Sequence, residues 1–171
     1  MARLTLLHYP DTRLREQAEP VTKFDDDLRQ LASDMAETMY AHRGIGLAAI
    51  QVGVTRRVVV LDTSEERNAL LTLVNPEVVR SEGLTEHEEG CLSVPDVYEP
   101  VVRPERVWVR AHNLAGETIE LDVEGLRAIC IQHEIDHLDG KLFIDRLSRL
   151  KQDRLRKRVA KRGRQERLAV A

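Results

Sequence analysis

From Glu124 onward the hydrophobic rhythm of this 171-residue chain becomes helical, and the helix it implies has almost no face fit for water. Leu126, Ile129, Cys130, His133 and His137 fall on one side at 3.6-residue spacing, while Ile131, Ile135 and Leu138 cover the others. A helix that is apolar nearly all round has to be surrounded by the rest of the fold, and Gly140 supplies its stop. The chain must therefore build a shell around this segment. Yet the segment carries His133, Glu134 and His137, an HExxH pattern. Burying three such groups without partners would be costly, which argues for a shared purpose.

Positions i and i+4 lie one turn apart on the same face, so both imidazoles can reach one cation. Glu134 points roughly 100° away from His133 and can reach a water on that cation instead of joining the ligand set. The third ligand decides the class. A metzincin protease would continue HxxGxxH, and the chain does continue His137-Leu138-Asp139-Gly140, but Phe143 stands where the third His is required. A thermolysin-like protease needs a Glu on a later helix, and the acids available are Asp139, Asp145, Asp153 and Glu166, the last inside a basic tail. Cys91, in Glu89-Gly90-Cys91-Leu92-Ser93, is the remaining strong candidate; its plainer reading is a small buried hydrophobe. Gly90 permits close backbone approach, and the acidic run Glu86 to Glu89 does not read as a core strand. Cys130, three residues before His133, reads as packing. Gly44 to Gln51 has two glycines and two alanines in eight residues, marking either backbone that something approaches closely or a helix stop followed by a tight buried turn.

Around this centre the order of elements predicts an α+β fold: an N-terminal helix, antiparallel β-sheets packed around the buried HExxH helix, and a C-terminal helix. Leu28, Leu31, Ala32, Met35 and Met39 set a helix over 26–42, with Asp25 to Asp27 at its favourable end. Val58 to Leu61 and Leu71 to Val74 read as buried strands, the second closed by Asn75-Pro76, and 106–123 reads as a hairpin turning at Asn113 and Gly116. Ser148 can cap a last helix whose core candidates are Leu150, Leu155 and Val159. A single domain over 1–171 with a basic tail from 146 is expected. No apolar run approaches the ~20 residues of a membrane span, and two cysteines make no disulfide framework. The apolar stretch in MARLTLLHYP is too short for a signal-peptide core, so the expected location is the cytoplasm. Residues 1–145 carry 15 Lys and Arg against 27 Asp and Glu, a net of −12, whereas 146–171 carry 11 against 2, a net of +9. Such asymmetry points to a polyanionic partner for the tail, or to a solvated helix face.

Gly44 to Gln51, Glu89 to Ser93 and Gln132 to Gly140 together resemble, in order and without a gap, the GxGLAAxQ, EGCLS and QHExxHLxG motifs of the peptide deformylase family. The resemblance implies removal of the formyl group from the N-terminal formylmethionine of new polypeptides. It implies that Cys91, His133 and His137 hold a divalent metal, Fe²⁺ in the cell with Zn²⁺, Ni²⁺ or Co²⁺ possible, and that a metal-bound water attacks the formyl carbon with Glu134 as general base. Gln51 and the Leu92 N–H match the family's oxyanion donors. Ile45 and Gly46 match the backbone that pairs with the peptide, Leu126, Ile129 and Cys130 match the methionine pocket, and Arg103 matches an arginine near the groove. His87 departs from the aliphatic residue that relatives often carry at the pocket wall.

Two other readings compete. One is an HExxH zinc protease, against which Phe143 argues. The other is a nucleic-acid-binding module with a structural metal, carried by the basic tail. Within the deformylase reading the tail over 146–167 is expected to dock on ribosomal RNA, with the chain itself a monomer.

Overall fold

A computed structural model describes residues 2–170; Met1 and Ala171, the ends of the expected 1–171 domain, lie outside the described residues. The first helix, α1, spans Asp26–Ala41. Its start is fixed by Asp25, whose side chain accepts from the Leu28 N–H at 3.0 Å, with Asp26 and Asp27 in the first turn where the helix dipole favours them. Leu28, Ala32, Met35 and Met39 are its buried stripe.

Seven strands follow: β1 Gly46–Ala48, β2 Val58–Leu61, β3 Leu71–Glu82, β4 Thr85–Cys91, β5 Val94–Arg103, β6 Arg106–His112 and β7 Thr118–Glu124. All pairings between them are antiparallel, in a five-stranded sheet of order β1-β2-β3-β6-β7 and a two-stranded sheet β4-β5. The expected hairpin is β6–β7, in register from Arg106–Glu124 to His112–Thr118. Helix α2, Gly125–Leu138, leaves the end of β7 and packs against β1, β2 and β7, and ten of its residues are buried. The α+β architecture follows the sequence reading, with the HExxH helix inside.

Two local expectations need correction. The second strand does not stop at Asn75-Pro76. It continues to Glu82 through a bulge between Val74 and Glu77, where proline's missing N–H is tolerated. Asn75 sits at φ 52, and its side-chain amide is held by both backbone groups of Val21, at 2.7 and 2.9 Å. The acidic run 86–89 is, as read, not a core strand but part of the outlying β4. It belongs to the two-stranded sheet, in which Glu86 and Glu88 remain exposed and Glu89 turns inward. Gly44 to Gln51 contains strand β1 and a 3₁₀ turn, Ala49–Val52, beyond the expected turn.

The last helix, α3, spans Arg149–Val170, and Ser148 Oγ accepts the Lys151 N–H at 3.2 Å as its cap. Of its three core candidates, Leu155 is 5% exposed and Val159 packs half-buried against the core, but Leu150 is 60% exposed and anchors nothing. Among the described residues no helix is long and apolar enough to cross a membrane.

Candidate metal centre

Buried α2 brings His133 and His137 together one turn apart, and the end of β4 brings Cys91 against them. His133 Nε2 and His137 Nε2 lie 3.2 Å apart, and Cys91 Sγ is 3.3 Å from His137 Nε2. The three donor atoms lie within 4.8 Å of one another. One thiolate and two imidazole nitrogens at this spacing, on buried or half-buried residues, form a donor set for a first-row divalent ion.

The surroundings agree with a positive charge at that point. His133 Nδ1 is engaged by Glu89 Oε1 at 2.9 Å, which leaves its Nε2 lone pair facing Cys91 and His137. Burial alone would lower the proton affinity of His133, but hydrogen bonds to Cys91 and Glu89 carry it well above the usual histidine range. Burial pushes His137 the other way, reinforced by repulsion from a charged His133, so its imidazole is neutral as a ligand must be.

Behind His133 stands a line of ions. Arg103 grips Glu89 with two bonds, 2.5 Å from Nε and 2.9 Å from Nη2, and reaches Asp136 with Nη1 at 2.9 Å. Burial pushes the Glu89 carboxyl up, but hydrogen bonds from His133 and Arg103 outweigh it and hold Glu89 down at about 2. Arg103 is 1% exposed and does not line the cavity, so its side chain makes no direct groove contact; it backs the Cys-His-His group through Glu89. Glu89, Asp136 and Phe143 belong to the same support and were not anticipated. The signal for Glu89 was its place two residues before Cys91.

Glu134 points to the open side. Its Oε2 is buried and has no hydrogen-bond partner among the described residues, and burial raises its carboxyl to about 7. Gly46 makes room for it: a Cβ there would lie 2.6 Å from Glu134 Oε1 and 2.8 Å from Cys130 Sγ. Gln51 has its orientation fixed. Its Oε1 accepts from the Ala48 N–H at 2.9 Å, so Nε2 is turned to Ser93 Oγ at 3.1 Å and Cys91 Sγ at 3.6 Å, directly beside the Cys-His-His group.

A cavity of about 420 Å³ opens beside this group. Ile45, Gly46, Gln51, Leu92, Leu126, Ile129 and Cys130 all line it, together with His87 and Tyr98. Burial pushes the Cys130 thiol well up, so it is a protonated, apolar wall. Gly90 lets the Tyr98 ring lie against the backbone, where a Cβ would meet it at 2.6 Å. Ile45 offers less backbone than expected, because its carbonyl already accepts from the Asp62 N–H at 2.8 Å. The Gly46–Leu61 pair lies between the bonded rungs of the β1–β2 ladder, so the peptide groups of Gly46 face the groove.

Comparison with known proteins gives one answer. The family model described as polypeptide deformylase matches residues 3–153. Peptide deformylase 1 of Burkholderia multivorans is 57% identical over 162 residues, covering 94% of this chain and 90% of its own. Peptide deformylase of Alkalilimnicola ehrlichii is 56% identical over 171 residues, covering 99% and 96%. Among solved structures, a peptide deformylase from Legionella pneumophila superposes with a TM-score of 0.90 at 48% identity, covering 96% of this chain and 98% of that one. One from Ehrlichia chaffeensis in complex with actinonin gives 0.90 at 38%, covering 95% and 98%.

Proposed function

The chain belongs to the peptide deformylase family, metal-dependent hydrolases that remove the N-formyl group from newly made polypeptides, and we propose that it does so at the cavity over Cys91, His133 and His137. The observation that carries the proposal is Glu134, its buried Oε2 unpartnered among the described residues, lining a cavity together with Cys91 and His133 of the Cys-His-His donor set. When bound, a divalent ion on those donors supplies a Lewis acid that makes water acidic and polarises the formyl carbonyl. Glu134 accepts the water proton as the new C–O bond forms, then gives it to the departing amine as the C–N bond breaks, leaving formate and a free N-terminal methionine. Gln51 Nε2 and the Leu92 N–H donate to the oxygen that gains negative charge. A donor of this kind is worth roughly 3–4 kcal/mol of barrier. Gln51 Oε1 is already held by the Ala48 N–H, so the amide keeps its orientation and Nε2 has only to exchange a bond to Ser93 Oγ or Cys91 Sγ for one to that oxygen.

The peptide lies along the open side of β1 as an added strand, bonding the backbone of Gly46 and the Ile45 N–H. Leu126, Ile129 and Cys130 enclose the methionine side chain. Fe²⁺ is the proposed resident ion, replaceable by Zn²⁺, Ni²⁺ or Co²⁺. The donor set supports a first-row divalent ion, and the choice among them rests on resemblance to the family. The chain works in the cytoplasm as one monomeric domain. Its helix α3 docks on ribosomal RNA, a reading supported by Arg154, Lys157 and Arg158, which are exposed and have no carboxylate within salt-bridge reach among the described residues. Charge reversal of Arg154, Arg156, Lys157 and Arg158 should abolish ribosome co-sedimentation at low salt; unchanged sedimentation would end that part of the reading.

The decisive assay is formate release from formyl-Met-Ala-Ser by anaerobically purified protein loaded separately with Fe²⁺, Ni²⁺ and Zn²⁺. Glu134→Gln should lower the rate by about 10³-fold with the metal retained, and Cys91→Ala should lose both. Cleavage of an internal bond in an unformylated peptide would instead favour a protease.

A further inference from the structure

The two imidazoles of the donor set are not held alike. His137 Nδ1 is buried with no partner among the described residues, whereas His133 is gripped twice. Its Nδ1 meets Glu89, and its ring stacks on Phe143 with centroids 5.9 Å apart and planes 26° apart. Both grips trace back to one short segment. Phe143 opens the 3₁₀ turn Phe143–Arg146, and Arg146 closes it. Arg146 bonds Asp136 twice, Nε to Oδ2 at 3.0 Å and Nη2 to Oδ1 at 3.2 Å. Asp136 Oδ2 also takes Arg103 Nη1 at 2.9 Å, and Arg103 holds Glu89 in a fork. The line from ligand to surface is His133, Glu89, Arg103, Asp136, Arg146. Charge alternates along it, and side-chain exposure rises from 4% at Glu89 and 1% at Arg103 to 13% at Asp136 and 41% at Arg146.

The turn is itself anchored. Asp145 Oδ2 caps the Leu142 N–H at 2.9 Å and Asp145 pairs with Arg15 at 2.6 and 3.0 Å, while Gln152 Nε2 of α3 donates to the carbonyls of Asp145 and Leu147 at 3.3 and 2.9 Å. Neighbouring carboxylates are thus spoken for, and Asp136 is the one carboxylate to which Arg146 is bonded among the described residues.

We propose that Arg146 is a positioning residue for the metal ligand His133, acting through Asp136, Arg103 and Glu89. The inference rests on the reading of Cys91, His133 and His137 as the metal triad. Without Arg146, Asp136 loses the partner that fixes both its oxygens and turns toward water. Arg103 then has one rigid acceptor instead of two, its fork on Glu89 loosens, and the His133 ring gains freedom about the bond that aims its Nε2. His137, outside this line, is unaffected. Direct partners of ligating histidines typically change metal affinity 10–100-fold, so a residue three links further out should act by roughly threefold to tenfold.

The test uses the full chain loaded with Zn²⁺, which is diamagnetic. Arg146→Gln should release Zn²⁺ to a chelator roughly threefold to tenfold faster, and should move or broaden the His133 Nδ1–H resonance in ¹⁵N-imidazole spectra while His137 stays in place. Arg146→Lys should restore most of both, and Arg149→Gln, exposed and outside the line, should match wild type. Wild-type release with an unmoved His133 resonance in Arg146→Gln would overturn the proposal. So would equal shifts at both histidines, which would mean general loosening. A wild-type chain that binds no Zn²⁺ would instead overturn the triad beneath it.

Discussion

Helices α2 and α3 are both regular and both rich in ionisable side chains, but they place charge under opposite rules. In α2, His133 and Asp136 each have named partners at hydrogen-bonding distance, and Glu134 has been left without one over the cavity. In α3 the charges face water. Arg156 reaches Asp153 at 3.6 Å, Lys151 reaches Glu99 at 3.0 Å, Arg162 reaches Asp96 at 3.5 Å, and the rest of its cations have no acidic partner among the described residues. The first helix exists because the fold surrounds it. The second is carried by residues that favour helix on their own, Arg, Lys, Leu, Gln and Ala, and is tied down chiefly by Leu155. Inside the protein a charge acts through one neighbour; on α3 it acts as part of a collective field.

That contrast can be broken most forcefully at Glu89. Glu89→Gln leaves Arg103 buried beside an incomplete partner and should cost about 3–5 kcal/mol in chemical denaturation. The same group makes the metal-free protein acid-sensitive in a defined window. Its carboxyl sits at about 2 when folded against an ordinary 4.5, so the stability it contributes is complete above 4.5 and falls away as pH drops toward 2. Glu89→Gln should flatten the stability profile in that interval; an unchanged slope would count against the pairing. Gly46→Ala comes next, since the new Cβ must push Glu134 or Cys130 aside. A displacement near 1 Å should lower kcat/KM by about 10²-fold, with a melting temperature far less affected than by Glu89→Gln. On α3, Leu155→Ala should cost about 2 kcal/mol, readable as early loss of helical signal from the C-terminal segment. Leu150→Ala, five residues earlier and facing water, should stay within about 0.5 kcal/mol, and a larger loss would mean that α3 is held more evenly than its burial suggests.

The same contrast explains what the sequence could say. Local pattern carried α1, α2, α3 and the β6–β7 hairpin, because period and capping are encoded within a few residues, as at Asp25 and Ser148. That His133 and His137 stand side by side was legible from helical spacing alone. Cys91 was legible only as the best remaining candidate, since nothing local says that β4 ends beside α2. The ion pairs of Arg103 were illegible for a related reason: its partners are 14 and 33 residues away, and no spacing rule connects an arginine to such distant carboxylates. The long β3 was cut short because Asn75-Pro76 is turn chemistry in isolation and a bulge only once β6 lies alongside.

Strand β1 has one further consequence. It is the outermost strand of its sheet and is three residues long. An edge open enough to take a peptide could also take the edge of another copy of the same protein, the usual beginning of aggregation. Three residues provide too few ladder bonds to hold such a pairing without side chains settling into the cavity beneath. The sheet's other edge, β7, is longer and exposes Glu120, Asp122 and Glu124. One border is limited by shortness and the other by charge, so the border proposed for substrate needs no charged guard of its own.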